Sequence, residues 1–343
     1  MARQMTDLQK RVLAIYKIVK QICDRHNLRY RAAGGTKIGA VLWSGYVPWD
    51  DDMDIQLPLP DYEKLLRICR TELPEGLHLL NLLDAKAGGI IATQISETAS
   101  TIVPNELLID PSSWGGVYLD FFPMIGTPED AAARAKFLDE LQFRRNQLLR
   151  KRFFKLGDTP ARQLVREYKQ LMHQYNFDDA TMICCAEYRA FRPEVFDRAG
   201  FVNATKMPFE DTTIYVPDDY DAQLKTQYGK YEKYPPKDHW AARRDYHQSV
   251  AFVDLDKPYQ YYVDEINKSP IKNYIQYLTA LQQKFNGERW VLIEDTLSPL
   301  QAEYGRVKQI IHDQSPHDPG IKESMKLLRL AIKRHVKKSA RRP

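Results

Sequence analysis

The sequence predicts an α+β fold, with a mixed β-sheet core in the first third of the chain and a largely helical C-terminal part. Three observations carry that reading. Short apolar runs alternate with amphipathic helical patterns up to Pro123. Helix-start signals dominate after it. With 343 residues, 43% of them hydrophobic and 11% aromatic, the chain can bury a substantial core, which excludes wholesale disorder.

Each element has its own signal. Leu8, Val12, Ile15, Val19 and Ile22 form one stripe of a helix over 7–25. A short strand, Tyr30 to Ala33, leads into Gly34-Gly35-Thr36, a short helix, and a loop into a strand over 53–57. Pro58 and Pro60 end that strand, and Asp61 opens a helix through Glu72. Gly88-Gly89 separates the apolar runs 78–83 and 90–95 as paired strands, and Gly115-Gly116 precedes another strand over 117–122. Thr127-Pro128-Glu129-Asp130 starts a helix, with Thr127 as its N-cap, and Asp158-Thr159-Pro160 starts another reaching about 175. Asp218-Asp219 starts a third, ending at Gly229 in a left-handed turn. The Pro-, Tyr-, His- and Trp-rich stretch 231–247 reads as an ordered loop, and helices resume near 269 and 321. The expected organisation is a catalytic core over 1–125, a helical and loop region over 126–265, and C-terminal helices with a basic tail over 266–343.

Composition narrows the function. No apolar run approaches the ~18–20 residues of a membrane span, and Lys10, Arg11, Lys17 and Lys20 break any leader-like apolar stretch. Four irregularly spaced cysteines suit a reducing cytoplasm. Cys184-Cys185 with His173 lacks the spacing of a structural zinc site. The net charge is +5, but residues 320–343 carry nine Lys/Arg against Glu323 alone, so the body over 1–319 is at −3. That argues against nucleic-acid binding. Ile321, Met325, Leu328 and Ile332 make the tail a basic amphipathic helix suited to peripheral contact with an anionic membrane, or a packed terminal helix with a solvated end.

The sharpest chemical feature is Pro48-Trp49-Asp50-Asp51-Asp52-Met53-Asp54-Ile55. It reads as a solvated acidic turn or as a divalent-metal site. If Asp52 opens the strand, Asp52 and Asp54 share a face with Cα atoms about 6.6 Å apart, a spacing from which two carboxylates converge on Mg²⁺ or Mn²⁺. Asp50 and Asp51 then face solvent or support the ligands. Asp120, alone among apolar neighbours in 117–122, is the third carboxylate, unless it faces water from an edge strand. Gly34 and Gly35 let backbone approach a ligand, and Thr36 opens a helix whose free N–H groups suit a phosphate.

A Gly-Gly-Thr turn, a DxD strand and a further strand carrying Asp resemble the layout of the nucleotidyltransferase superfamily. Gly35-Thr36-Lys37-Ile38-Gly39-Ala40-Val41, then 45–55, resemble the LicD family signature, and Leu119-Asp120-Phe121-Phe122-Pro123 its next block. Pro208-Phe209-Glu210, Val216-Pro217, Tyr228-Gly229-Lys230-Tyr231 and Pro235-Pro236 are similar to its C-terminal pattern. The resemblance spans 25–250. It implies transfer of phosphocholine or a polyol phosphate from a CDP-linked donor to a hydroxyl of a cell-surface glycan, such as a lipopolysaccharide, capsule or teichoic-acid precursor, with release of CMP. The acceptor is often lipid-linked, which suits a cytoplasmic enzyme peripheral at the inner membrane face. Lys37, Leu42 and Ser44 depart from the family's residue types, as does the absence of an acid near Met124-Ile125.

On this reading Asp52, Asp54 and Asp120 bind the metal and act in catalysis, while Gly34, Gly35, Thr36, Lys37, Glu210, Arg243, Arg244 and His247 bind phosphate or substrate. Lys206 is a secondary candidate. Tyr231, Tyr234, Trp240 and Tyr246 are either an aromatic cage for a quaternary ammonium or packing beside prolines. Two rivals are a nucleotidyltransferase releasing pyrophosphate and a non-catalytic glycan- or lipid-binding scaffold.

Overall fold

The structure, a computed structural model, describes residues 5–84, 92–104, 115–154, 159–187, 194–233 and 250–261. In chain order the described elements are α1 (Asp7–Arg25), β1 (Arg31–Ala32), α2 (Gly34–Trp43), β2 (Asp54–Pro58), α3 (Leu59–Glu72), β3 (Leu77–Leu80), β4 (Thr93–Glu97), β5 (Thr101–Pro104), β6 (Tyr118–Thr127), α4 (Ala131–Phe154), α5 (Ala161–Met172), β7 (Met182–Cys185), β8 (Val195–Asp197), α6 (Arg198–Val202), β9 (Ala204–Phe209), β10 (Thr212–Pro217), α7 (Tyr220–Tyr228) and β11 (Val250–Asp254).

The seven-stranded sheet is mixed, as expected, and β6 is its hub. The order β1-β2-β6-β4-β3 is extended by β7, which pairs with β6 and carries β8. The β2–β6 pair is parallel, and β4 and β7 both run antiparallel to β6. β6 is long enough for two partners in succession: 118–121 pair with β4, and 124–127 with β7. Pro123 falls between the two pairings, where its missing N–H costs no ladder bond, and its carbonyl accepts from the Ala186 N–H at 2.8 Å. This corrects the expected helix start at Thr127, which ends β6; Asp130 supplies the cap instead, accepting from the Ala133 N–H at 2.8 Å. After Pro123 the described residues carry the helices α4 to α7 and, beyond what the sequence signals announced, five strands, β7 to β11. Their runs of three to six residues are too short for periodicity to separate from loop.

Other boundaries moved for local reasons. Pro58 ends β2 and is the N-cap residue of α3, and Pro60 lies in the first turn of that helix, where a missing N–H is tolerated. β2 begins at Asp54, so Asp52 precedes it. The helix ending before Gly229 has that residue at φ +65°.

Side chains alternate across the sheet. Ile55, Leu57, Leu119 and Phe121 are at most 2% exposed. The stripe of α1 buries Val12, Ile15, Tyr16, Val19 and Ile22, and that of α3 buries Tyr62 and Leu65. α1 and α3 both pack on β6. Residues 54 and 120 take the other phase. The chain divides into two compact units. The first holds this sheet, the β9–β10 hairpin and α7; in the second, β5 pairs antiparallel with β11. The tail over 320–343 lies outside the described residues.

Candidate active site

The register of the parallel pair brings the two most telling acids together: Asp54 and Asp120 are Cα partners, and the Asp120 N–H donates to the Met53 carbonyl at 3.1 Å. Gln94 of β4 is the partner of Asp120 on its other side. Asp54, Asp120 and Gln94 therefore form one row on one sheet face. One step back along β6 lies Tyr118, paired with Ser96. Asp50, Asp51 and Asp52 gather in the approach to β2, each offering a ligand atom within 4.8 Å of the others.

This crowding has an electrostatic cost. Burial first, then the charges of Asp52, Asp120, Asp50 and Glu194, push the Asp54 carboxyl well above the ordinary carboxylate range. Burial, then Asp120, Asp52, Asp51 and Asp54, push the Tyr118 phenol up. A divalent cation would supply the missing countercharge, and an all-oxygen carboxylate set is the chemistry that suits Mg²⁺ or Mn²⁺. The acids whose ligand atoms converge as such an ion requires are Asp50, Asp51 and Asp52, with Asp54 and Asp120 paired on the strands they lead into.

The first turn of α2 is built around the acids. Gly34 sits at φ +47°, and a Cβ there would lie 2.7 Å from Asp54 Oδ2. A Cβ on Gly35 would lie 2.1 Å from Asp50 Oδ2. The glycines that read as a phosphate cradle are thus packed on carboxylates, at the positive end of a helix. Thr36 fixes the strand: its Oγ1 accepts from the Asp54 N–H at 2.9 Å, while the Asp54 carbonyl accepts from the Ala33 N–H at 3.0 Å.

The acidic loop is held from outside. Gln9 closes a capping box with Thr6 at the start of α1, and its Nε2 donates to the Asp50 carbonyl at 2.6 Å. The Tyr46 hydroxyl donates to the Gln9 carbonyl at 2.9 Å. Glu210 lies in this support rather than among the acids. Its Oε1 accepts from the Tyr46 N–H at 3.0 Å, and its own N–H donates to the Ser44 carbonyl at 2.8 Å. Gly45 leaves the room, since a Cβ there would lie 2.2 Å from Glu210 Oε1.

Lys37 is fully buried, so its placement is internal. Its ammonium donates to Gln223 Oε1 at 2.7 Å, and Gln223 in turn donates to Asp219. Burial pushes its pKa down to about 8 against the pull of Glu194 and Asp219. Glu194 also accepts from Gln56 Nε2, two residues beyond Asp54. These contacts join α2 to α7, whose Tyr228 hydroxyl lies close to Gly34. Lys206 stands on the β9–β10 hairpin with its ammonium over the Tyr215 ring, and Tyr231 donates to Asp221 Oδ1 at 2.9 Å. Arg243, Arg244, His247, Tyr234, Trp240 and Tyr246 lie outside the described residues.

Sequence reasoning passed over Tyr118, Gln94, Glu194 and Gln9. Only Tyr118 carried a readable signal, because a period of two from Asp120 puts it on the same strand face.

No family model matches the chain. It is 20% identical over 250 residues to the lipopolysaccharide cholinephosphotransferase LicD of Haemophilus influenzae, an alignment covering 68% of this chain and 91% of that protein. It is 33% identical over 69 residues to an uncharacterized protein of Rickettsia prowazekii, covering 16% of this chain and 26% of that one. The LicD resemblance of the motifs thus extends through most of the sequence. Among the described residues, no helix is long and apolar enough to cross a membrane.

Proposed function

We propose that this chain is a LicD-like phosphotransferase, an enzyme that moves a phospho-alcohol group, phosphocholine or a polyol phosphate, from a CDP-linked donor to a hydroxyl of a cell-surface glycan or its lipid-linked precursor, releasing CMP. The observation that carries the reading is the pairing of Asp54 with Asp120 on adjacent parallel strands beside the Asp50–Asp52 cluster. Likeness to a named cholinephosphotransferase over 91% of that protein's length supports the phosphotransferase reading.

Asp52, Asp54 and Asp120 would hold Mg²⁺ or Mn²⁺, with Asp50 and Asp51 alongside. When bound, the ion neutralises diphosphate charge and favours departure of CMP. The α2 N-terminus, bearing Gly34, Gly35 and Thr36, offers backbone N–H groups to the same anionic neighbourhood. Asp120 accepts the proton of the attacking glycan hydroxyl. The hydroxyl oxygen bonds to the phosphorus that carries the alcohol. The bond from that phosphorus to the bridging oxygen breaks, and CMP leaves with the bridging oxygen. Thr36 and Gln9 keep Asp54 and the Asp50 loop in place. Residues 320–343 would bring the enzyme to the inner membrane face, where a lipid-linked acceptor lies.

The test is a panel of CDP-choline, CDP-ribitol and CDP-glycerol with Mg²⁺, read as CMP release. The wild-type chain should release CMP from one of these donors, and Asp54→Asn and Asp120→Asn should each abolish release. Pyrophosphate release from a nucleoside triphosphate, or undiminished rates in the variants, would overturn the assignment.

A further inference from the structure

The acids of the site accept hydrogen bonds but donate none while ionised, whereas a phosphoryl group in transfer gathers negative charge on its peripheral oxygens. A protein that stabilises that charge needs donors on the same face. Along β6, Tyr118 precedes Asp120 by two residues and so shares its face. Asp54, the partner of Asp120, opens β2, so the acidic loop that ends in Asp52 leads into the same end of this strand pair. The β4 partner of Tyr118, Ser96, is buried, with its hydroxyl directed to the Glu97 carbonyl at 3.4 Å. Tyr118 itself is half-buried, and no hydrogen bond involves its hydroxyl among the described residues. A phenol in this position combines reach, partial access and a proton to offer.

We infer that Tyr118 contacts the substrate in this site, its hydroxyl donating a hydrogen bond to an oxygen of the phosphoryl group being transferred. The inference rests on the phosphotransferase reading above and adds a hydroxyl donor to a site whose charged side chains are all acceptors. Gln94, across the strand from Asp120, flanks the same group as a second neutral side chain.

Tyr118→Phe keeps the ring and removes the donor. With the CDP-linked donor that the wild type uses and saturating Mg²⁺, kcat for CMP release should fall about 10²-fold, the scale of losing one transition-state donor. KM for the donor, Mn²⁺ affinity and Tm should stay at their wild-type values. A kcat within twofold of wild type would overturn the role of Tyr118 while leaving the phosphotransferase reading intact. So would a rate loss matched by a fall in Tm, because it would make the hydroxyl structural. A wild-type chain that releases no CMP from any CDP-linked donor would remove the reading and the role of Tyr118 with it.

Discussion

Asp54 and Asp120 face one another across a parallel strand pair, and each is held there by backbone: the Asp54 N–H by Thr36 Oγ1, the Asp120 N–H by the Met53 carbonyl. Two carboxylates so fixed, with three more acids beside them, form an arrangement that the fold tolerates rather than prefers. The account therefore predicts effects on stability as well as on activity.

The ion-free protein should lose stability through Asp54 as pH rises. Burial and neighbouring carboxylates raise its folded pKa above the ordinary value of 3.8. A raised folded value stabilises fully below the unfolded pKa, and that contribution disappears as pH climbs through the folded one. Asp54→Asn should remove this dependence. In denaturant titrations with EDTA, the stability of the Asn variant relative to wild type should grow from pH 4 towards neutrality; a constant difference would contradict the burial of a strained charge.

Thr36→Val keeps the shape of the side chain but removes the acceptor for the Asp54 N–H. The expected cost is about 1–3 kcal/mol for a buried donor left unmade, with a fall in CMP release larger than the stability loss explains. Urea unfolding and kinetics on the same preparation check both.

Glycine substitutions should separate site from scaffold. Gly35→Ala drives a Cβ against Asp50 Oδ2, and Gly34→Ala adds left-handed strain of about 1–2 kcal/mol to a clash with Asp54. Both should lower Mn²⁺ affinity and turnover. Gly76→Ala, at φ +88° with nothing within 4 Å of the new Cβ, should cost stability only.

Thr6→Ala and Gln9→Ala should part company. Both lose the capping box, worth about 1 kcal/mol. Only Gln9→Ala also removes the Nε2 donor to the Asp50 carbonyl, so it alone should reduce CMP release. Equal activities in the two variants would show that the loop needs no tether.

The acids were legible in sequence because their chemistry conflicts with their surroundings: Asp120 interrupts an apolar strand, and four acids crowd into five residues at 50–54. The glycines were legible as points of close approach, but sequence could not show that Asp54 and Asp50 are what approach them. Lys37 read as a phosphate ligand because it follows the helix start, yet helical periodicity turns it inward to Gln223, 186 residues away. Glu210 carries a family motif, and its work in bracing Tyr46 depends on a turn meeting a distant loop. The tether from Gln9 to Asp50 spans 41 residues and leaves no local trace. In the fold, α1 followed from its apolar stripe, α3 from the prolines and Asp61 before it, and the mixed sheet from short apolar runs alternating with helical patterns. The extension of β6 through Pro123 did not, because it depends on β7 arriving where β4 stops.

The most direct measurement is Mn²⁺ binding followed by electron paramagnetic resonance, with and without a CDP-linked donor, in wild type, Asp54→Asn and Asp120→Asn. The account predicts a bound ion in the wild type, tightened by the donor, and affinity reduced at least about tenfold in each variant, the lower end of what losing even an indirect metal-site partner costs. Equal Mn²⁺ affinity in all three proteins would contradict it.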